Sequence, residues 1–206
     1  MHLPTLYLLT SAFYLLTSSF YLLMTAPLSI VRTHLKPQNE TIDFAIGSCS
    51  LGSILVAASP KGICALTLAD DPALLKADLR KRFPKSELSE IDLSKDPRLQ
   101  NAIDFVESPH AERAIELDLR GTDFQQRVWE ALREIPFGKT ATYTEIAAKT
   151  GRPKAVRAVA QACASNPVAI LVPCHRVLRR DGSLSGYRWG IDRKRKLLQM
   201  EQMVLA

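Results

Sequence analysis

The chain has 206 residues, 47% of them hydrophobic and 23% charged, a globular composition that excludes collagen-like, disulfide-stapled and wholly disordered proteins. At this length it makes one or two domains with a sizeable core. Its net charge of +6 is uneven: residues 121–206 hold 15 Lys and Arg against 7 Asp and Glu, net +8, whereas residues 1–120 hold 12 against 14, net −2. The second half is therefore expected to meet a polyanion, nucleic acid first.

Residues 1–23 carry a tandem heptad headed by Tyr7, Tyr14 and Tyr21. Leu3 to Leu23 is apolar, but no Lys or Arg precedes it and Ser and Thr interrupt it, so a membrane anchor is the weaker reading. Met24 is the expected natural start, and residues 1–40 are expected to form an unstructured extension. No membrane contact is predicted.

From Ile42 the elements become legible. Ile42–Ile46, Gly52–Ala58 and Gly62–Leu68 are short apolar or β-branched runs split by Gly, Ser and Pro, which predicts a three-stranded meander. Helical spacing follows over Pro72–Phe83 and again over Pro97–Val106. Ile115–Leu119 is expected to close the sheet. This part, residues 41–119, holds no clustered reactive groups and reads as an α/β scaffold.

The second domain, residues 120–206, opens with a helix over Asp123–Glu134, with Phe124, Val128, Trp129 and Leu132 on one face and a stop at Ile135-Pro136-Phe137-Gly138. Thr142 and Glu145 have capping-box spacing, and Gly151 ends the short helix they start. Pro153 suits the first turn of a second helix running to about Ser165. A helix, a tight turn of about three residues and a helix form the pattern that places a second helix against DNA. Ala155, Ala158, Ala160, Ala162 and Ala164 keep that helix thin, and Arg152, Lys154 and Arg157 make its start basic. The alternative is that these alanines pack on the neighbouring helix and the charges are solvated.

Asn166-Pro167 then leads into an apolar, strand-like run, Val168–Val172, and on to Pro173-Cys174-His175-Arg176-Val177. Thiolate is the nucleophilic form of cysteine, and His175 and Arg176 are placed to lower the cost of forming it. In an extended segment adjacent side chains face opposite ways, so a bridging water is a better link from Cys174 to His175 than a direct hydrogen bond. Cys163, among alanines, reads as a small buried hydrophobe. Cys49, Cys64, Cys163 and Cys174 make no CxxC pair, so neither a disulfide framework nor a metal site is expected, and no cofactor.

On PCHRV (173–177), PKAVRAVAQA (153–162), Asn166-Pro167 and GYRWG (186–190), residues 121–201 resemble the O6-alkylguanine-DNA alkyltransferase family. The stretch from about residue 42 is similar to that family's N-terminal ribonuclease-H-like domain. FQQRVWEAL, KAVRAVA and LSGYRWG are most similar to the C-terminal half of a bacterial adaptive-response member, without its zinc and regulator domains, which argues against a self-methylating activator. The resemblance implies an α/β ribonuclease-H-like domain followed by an α-helical winged-helix or helix-turn-helix domain carrying the reactive cysteine.

It also implies irreversible, single-turnover transfer of a methyl or alkyl group from O6-alkylguanine in DNA, and from O4-methylthymine, to Cys174. His175 would be the base acting through water, Glu201 the carboxylate supporting it, and Asn166 the tie between the reactive segment and the helix-turn-helix. Tyr143 would donate to guanine N3. Arg157 would replace the extruded nucleotide in the stack. Tyr187, Arg188, Trp189 and Val177 would form the substrate pocket, with the Arg188 amide donating to O6 and the Trp189 indole narrowing it against benzyl groups. Ala155, Ala158, Lys154 and Arg152, with Arg179, would meet the minor groove and phosphates of double-stranded DNA. A cytoplasmic monomer is implied. The competing readings are a DNA-binding or lesion-sensing module that needs no Cys174, and a cysteine hydrolase that turns over.

Overall fold

The structure, a computed structural model, describes residues 40–109 and 114–205. The predicted extension and its heptads lie outside the described residues. No helix among those described is long and apolar enough to cross a membrane.

The meander forms as predicted. Strands β1 (Thr41–Cys49), β2 (Gly52–Ser59) and β3 (Gly62–Ala69) pair antiparallel in sequence order. Helices α1 (Pro72–Arg82) and α2 (Pro97–Glu107) each begin with an Asp whose carboxylate accepts a backbone N–H: Asp71 from Ala73 at 2.8 Å and Asp96 from Arg98 at 2.9 Å. Pro follows each Asp, where its missing N–H costs nothing.

The sheet is completed differently from expectation. Its fourth strand is β4 (Glu87–Glu90), which runs parallel to β1. The sequence ELSE is polar on both sides of one leucine, so it carries no strand pattern; β1's open edge pairs it nonetheless. Residues 115–119 form no full strand. They lie along the other edge, where Ile63 bridges Leu117 through bonds of 2.8 Å to the Glu116 carbonyl and 2.9 Å from the Asp118 amide.

Alternation along the strands sorts two cores. Ile42, Phe44, Leu55, Ala57 and Ala65 face α1 through Leu75 and Leu79. Ala45, Ile54, Val56 and Leu66 face the other way and pack with α2, and the same cluster continues without a break through Trp129, Val159, Cys174 and Leu197. The sheet and the helical half thus share one apolar core. Burying such side chains gives about 1.5–3 kcal/mol each.

The helical half contains α3 (Asp123–Arg133), β5 (Ala141–Thr142), α4 (Tyr143–Lys149), α5 (Val156–Ala164), β6 (Val177–Leu178) and α6 (Ile191–Leu205). Thr122 and Gln125 close a capping box at α3, and Thr142 and Glu145 close the predicted one at α4, where the Thr142 amide donates to Glu145 at 2.6 Å. Gly151, at φ +73°, turns the chain out of α4 in a left-handed conformation that suits glycine.

The second helix starts later than predicted. Ala155 donates to the Arg152 carbonyl at 2.8 Å, closing a separate turn over 152–155, and α5 begins at Val156 without a side-chain cap. Pro153 sits in that turn, so the link between α4 and α5 is longer than three residues. The Trp129 indole N–H donates to the Ala162 carbonyl at 2.9 Å and locks α3 against α5. A Cβ on Gly121 would come within 2.7 Å of that indole, so only glycine admits it.

Candidate active site

The segment that delivers the cysteine hangs from the edge of the sheet. Leu66 on β3 donates to the Pro167 carbonyl at 3.0 Å and accepts from the Ala169 amide at 2.8 Å. The predicted strand Val168–Val172 is not formed. The chain folds back on itself instead, with Leu171 donating to Ala169 at 2.7 Å and Val172 to Val168 at 3.2 Å. Ile170, at the bend, takes φ +69°. A β-branched residue in the left-handed region costs on the order of 1–3 kcal/mol, and here the apolar burial of Val168, Ala169, Leu171 and Val172 holds it.

Residues Cys174–Arg176 form one 3-10 turn rather than the extended segment expected. The turn replaces opposite-facing side chains with a fan: Cys174, His175 and Arg176 are all buried but reach different partners. Asn166 sits at the centre. Its Nδ2 donates to the Val172 carbonyl at 2.8 Å and to the Cys174 Sγ at 3.3 Å, while its Oδ1 accepts from the Val168 amide at 3.0 Å.

Arg176 does not serve the thiol as sequence reasoning suggested. Its guanidinium lies on Glu201, with bonds of 2.9–3.1 Å, donates to the Ile135 carbonyl at 2.7 Å and lies 5.6 Å from the centre of the Phe137 ring. Glu201 also bonds His175 Nε2 at 2.7 Å and accepts from the Gly138 amide at 3.0 Å. Burial pushes the Glu201 carboxyl up, but the hydrogen bonds and charges of His175 and Arg176 outweigh it and hold it at about 2. A carboxylate at Nε2 fixes the neutral imidazole with its proton there, leaving the lone pair on Nδ1. That Nδ1 is buried with no hydrogen-bond partner among the described residues. Burial lowers the His175 pKa against the pull of Glu201, so the ring is neutral at pH 7.

Cys174 lines a cavity of about 540 Å³ with Tyr143, Val156, Arg157, Ala160, Cys163, Ala164, Arg179 and residues 185–188. Burial pushes the thiol up to about 11, against the opposing Asn166 hydrogen bond and the nearby Lys194 charge. At rest it is therefore a thiol that needs a base to become a nucleophile.

Of the residues expected in the pocket, Tyr187 and Arg188 line it. Trp189 and Val177 do not. The Trp189 indole is buried behind Tyr187, edge to face with ring centres 5.1 Å apart, so it sets the tyrosine rather than narrowing the cavity. Val177 is fully buried and gives its carbonyl to Lys194 at 2.6 Å. The Arg188 guanidinium is drawn to Asp78 of α1 at 2.6 Å.

On the outer face of α5, Arg157 and Ala158 are exposed, as are Arg152 and Lys154 in the turn before it, while Ala155 is half-buried. Arg157 borders the cavity. Arg152 lies 5.3 Å from the centre of the Phe124 ring. The alanines divide between two sides: Ala162 packs inward, and Ala158, Ala160 and Ala164 face out.

Sequence reasoning missed Lys194 and Ser185. Lys194 is fully buried and donates to the Val177 carbonyl at 2.6 Å and to Ser185 Oγ at 2.9 Å. Ser185 Oγ lies 2.6 Å from the Tyr143 hydroxyl. The available signal was the spacing of Lys194, Leu197 and Glu201, three and four residues apart and all buried on one face of α6.

The chain is similar to known proteins. The family described as 6-O-methylguanine DNA methyltransferase, DNA binding domain, matches residues 123–203. The bifunctional transcriptional activator/DNA repair enzyme Ada of Escherichia coli is 48% identical over 164 residues, 80% of this chain and 46% of its own, so the chain spans about half that relative's length. The methylated-DNA--protein-cysteine methyltransferase of Mycobacterium bovis is 48% identical over 142 residues, covering 66% of this chain and 86% of the relative. The crystal structure of Mycobacterium tuberculosis OGT in complex with DNA superposes with TM-score 0.64 at 38% identity, over 78% of this chain and 93% of that one.

Proposed function

We propose that this chain, which belongs to the methylated-DNA--protein-cysteine methyltransferase family, repairs DNA by direct reversal, moving the alkyl group of O6-alkylguanine onto Cys174. The observation that carries this reading is a cysteine lining a cavity large enough for a base, backed by a neutral histidine whose Nδ1 has no hydrogen-bond partner among the described residues. A residue-41–119 domain of ribonuclease-H-like type supports a residue-120–206 domain of helix-turn-helix type.

Double-stranded DNA docks its minor groove on the thin face of α5, bounded by Ala155 and Ala158, with Lys154, Arg152 and Arg179 near phosphates. Arg157 enters the stack as the damaged nucleotide swings into the cavity. Cys174 Sγ attacks the alkyl carbon in line. Its proton passes through a water to His175 Nδ1, whose imidazolium is stabilised by Glu201. The S–C bond forms as the C–O6 bond breaks, and the electron pair leaves with guanine, which Tyr143 steadies by a hydrogen bond to N3 and the Arg188 amide by one to O6. The proton lost by the thiol ends on the freed guanine.

The thioether is stable, so each molecule reacts once, and no cofactor or metal takes part. The same step applies to O4-methylthymine. The protein acts as a cytoplasmic monomer.

Mass spectrometry after incubation with an oligonucleotide containing one O6-methylguanine tests this. The expected result is a gain of about 14 Da on the peptide holding Cys174, saturating at about one methyl per chain. Binding without mass gain overturns the reading in favour of a lesion-sensing module, and continuous turnover would point to a hydrolase.

A further inference from the structure

Tyr143 and Ser185 of the cavity wall and the buried Lys194 behind them form a chain of three polar groups from separate parts of the helical half. Tyr143 opens α4, Ser185 lies in the loop before α6, and Lys194 comes from the first turns of α6. Their separations are 2.6 Å from Tyr143 hydroxyl to Ser185 Oγ and 2.9 Å from Ser185 Oγ to Lys194 Nζ. Lys194 and Ser185 are buried, and Tyr143 and Ser185 line the cavity beside Cys174.

Donor accounting decides which way the protons point. An ammonium can only donate, so Lys194 fills one of the two acceptor sites on Ser185 Oγ and offers no acceptor for the serine proton. The serine then has its own proton to place, and the phenol oxygen is the acceptor 2.6 Å away. Once Tyr143 accepts from Ser185, its own proton is released from the wall and turns to the cavity. Were the pair oriented the other way, the phenol would spend its proton on the serine and offer the substrate only lone pairs. In that orientation the buried serine proton would also be left without an acceptor, since Lys194 can only donate; the ammonium is itself held by the Val177 carbonyl next to the reactive turn.

We propose that Ser185 is a positioning residue that, under the constraint of Lys194, turns Tyr143 into a directed hydrogen-bond donor to the departing base. The inference rests on the reading of Tyr143 as the donor to the leaving base. It makes the Ser185 contribution specific to leaving groups that need a hydrogen bond, and silent for those that do not.

Two reactions of the full chain separate these. One is single-turnover methyl transfer from an O6-methylguanine oligonucleotide at saturating DNA. The other is alkylation of Cys174 by iodoacetamide, read by peptide mass; iodide leaves without a proton or a hydrogen-bond donor. Ser185→Ala is expected to slow methyl transfer about tenfold, less than the roughly 100- to 10,000-fold of a group that itself meets the substrate because Ser185 acts only through Tyr143, and to leave the iodoacetamide rate unchanged. Ser185→Thr, which keeps the hydroxyl, is expected to restore transfer to within about threefold of the parent, the residual cost of one extra methyl in a packed wall.

A Ser185→Ala protein that loses both reactions equally, or loses neither, overturns the proposal. Tyr143→Phe distinguishes the failures. If it is slow while Ser185→Ala is not, the donor reading stands and the serine's role falls. If Tyr143→Phe itself transfers at the parental rate, the donor reading falls and the proposal falls with it.

Discussion

The two halves of the molecule each bury a cysteine near an arginine–carboxylate cluster, and only one of the two is equipped to react. In the sheet half, Asp118 accepts from Ser59 at 2.7 Å and pairs with Arg120, which also holds Glu40 and lies 5.5 Å from the centre of the Phe83 ring. Nearby Cys64 has its thiol pushed up to about 12 by burial and bonds the Ala57 carbonyl at 3.5 Å. In the helical half, Glu201 pairs with Arg176 and His175, and Cys174 sits at about 11. Burial and charge pairing are alike. What differs is that one cluster is closed on itself, whereas the other ends in an imidazole nitrogen without a partner among the described residues and a thiol facing a cavity. A buried ion pair is therefore poor evidence of a site; an unspent hydrogen-bonding group next to open volume is better evidence.

The sharpest way to break this comparison is to remove each thiol. Cys174→Ala is expected to abolish methyl transfer, at least about 1,000-fold, while DNA binding persists; Cys64→Ala is expected to leave the rate unchanged. A methyl found on Cys64, or transfer surviving in Cys174→Ala, would reverse the assignment.

Removing the carboxylates comes next. Glu201→Gln leaves buried Arg176 short of its carboxylate, a loss of about 3–5 kcal/mol measured by denaturant unfolding, whereas Asp118→Asn leaves half-buried Arg120 with Glu40 and should cost less. Only Glu201→Gln should also slow transfer, about 100-fold, because only Glu201 steadies an imidazolium. Equal rates in the two folded variants would show both clusters to be structural.

The pH response carries smaller effects with a definite sign. His175 has a folded pKa below the ordinary 6.5, so it remains a base at neutral pH and loses that role only as pH falls through a lower value. Transfer should be flat from about pH 8 down to 6.5 and decline below. Stability follows the same direction. Glu201, depressed from 4.5 to about 2, contributes fully above pH 4.5 and loses its contribution as pH falls through 2. A transfer midpoint at or above 6.5 would contradict a His175 pKa lowered by burial. Direct alkylation of Cys174 by iodoacetamide should rise with pH toward about 11.

The smallest effect tests the seam between the halves. Arg188 and Asp78 are partly exposed, with side chains 34% and 27% accessible, so Arg188→Ala should cost no more than about 1 kcal/mol. The transfer rate should stay within about threefold, since the guanidinium is spent on α1 and not on Cys174. A large loss of rate would mean that this arginine leaves Asp78 to meet the substrate.

Much of this molecule is written locally. The Asp-Pro helix starts, the Thr142 and Glu145 capping box, the left-handed Gly151 and the alternating strands of the meander each depend on residues a few positions apart, where sterics and backbone hydrogen bonds act alone. Cys174, His175 and Glu201 could be singled out from the PCHRV motif and its resemblance to a known family. The tertiary structure decided the rest. ELSE became a strand because β1 offered an unpaired edge, and Val168–Val172 failed as one because Leu66 and the core fold it back through Ile170. Arg176 and Lys194 look like solvated charges in the sequence; their burial requires Glu201, the Ile135 carbonyl and the Val177 carbonyl, which lie 25, 41 and 17 positions away. Desolvating a charge is favourable only when distant partners converge on it, and no local pattern records that convergence.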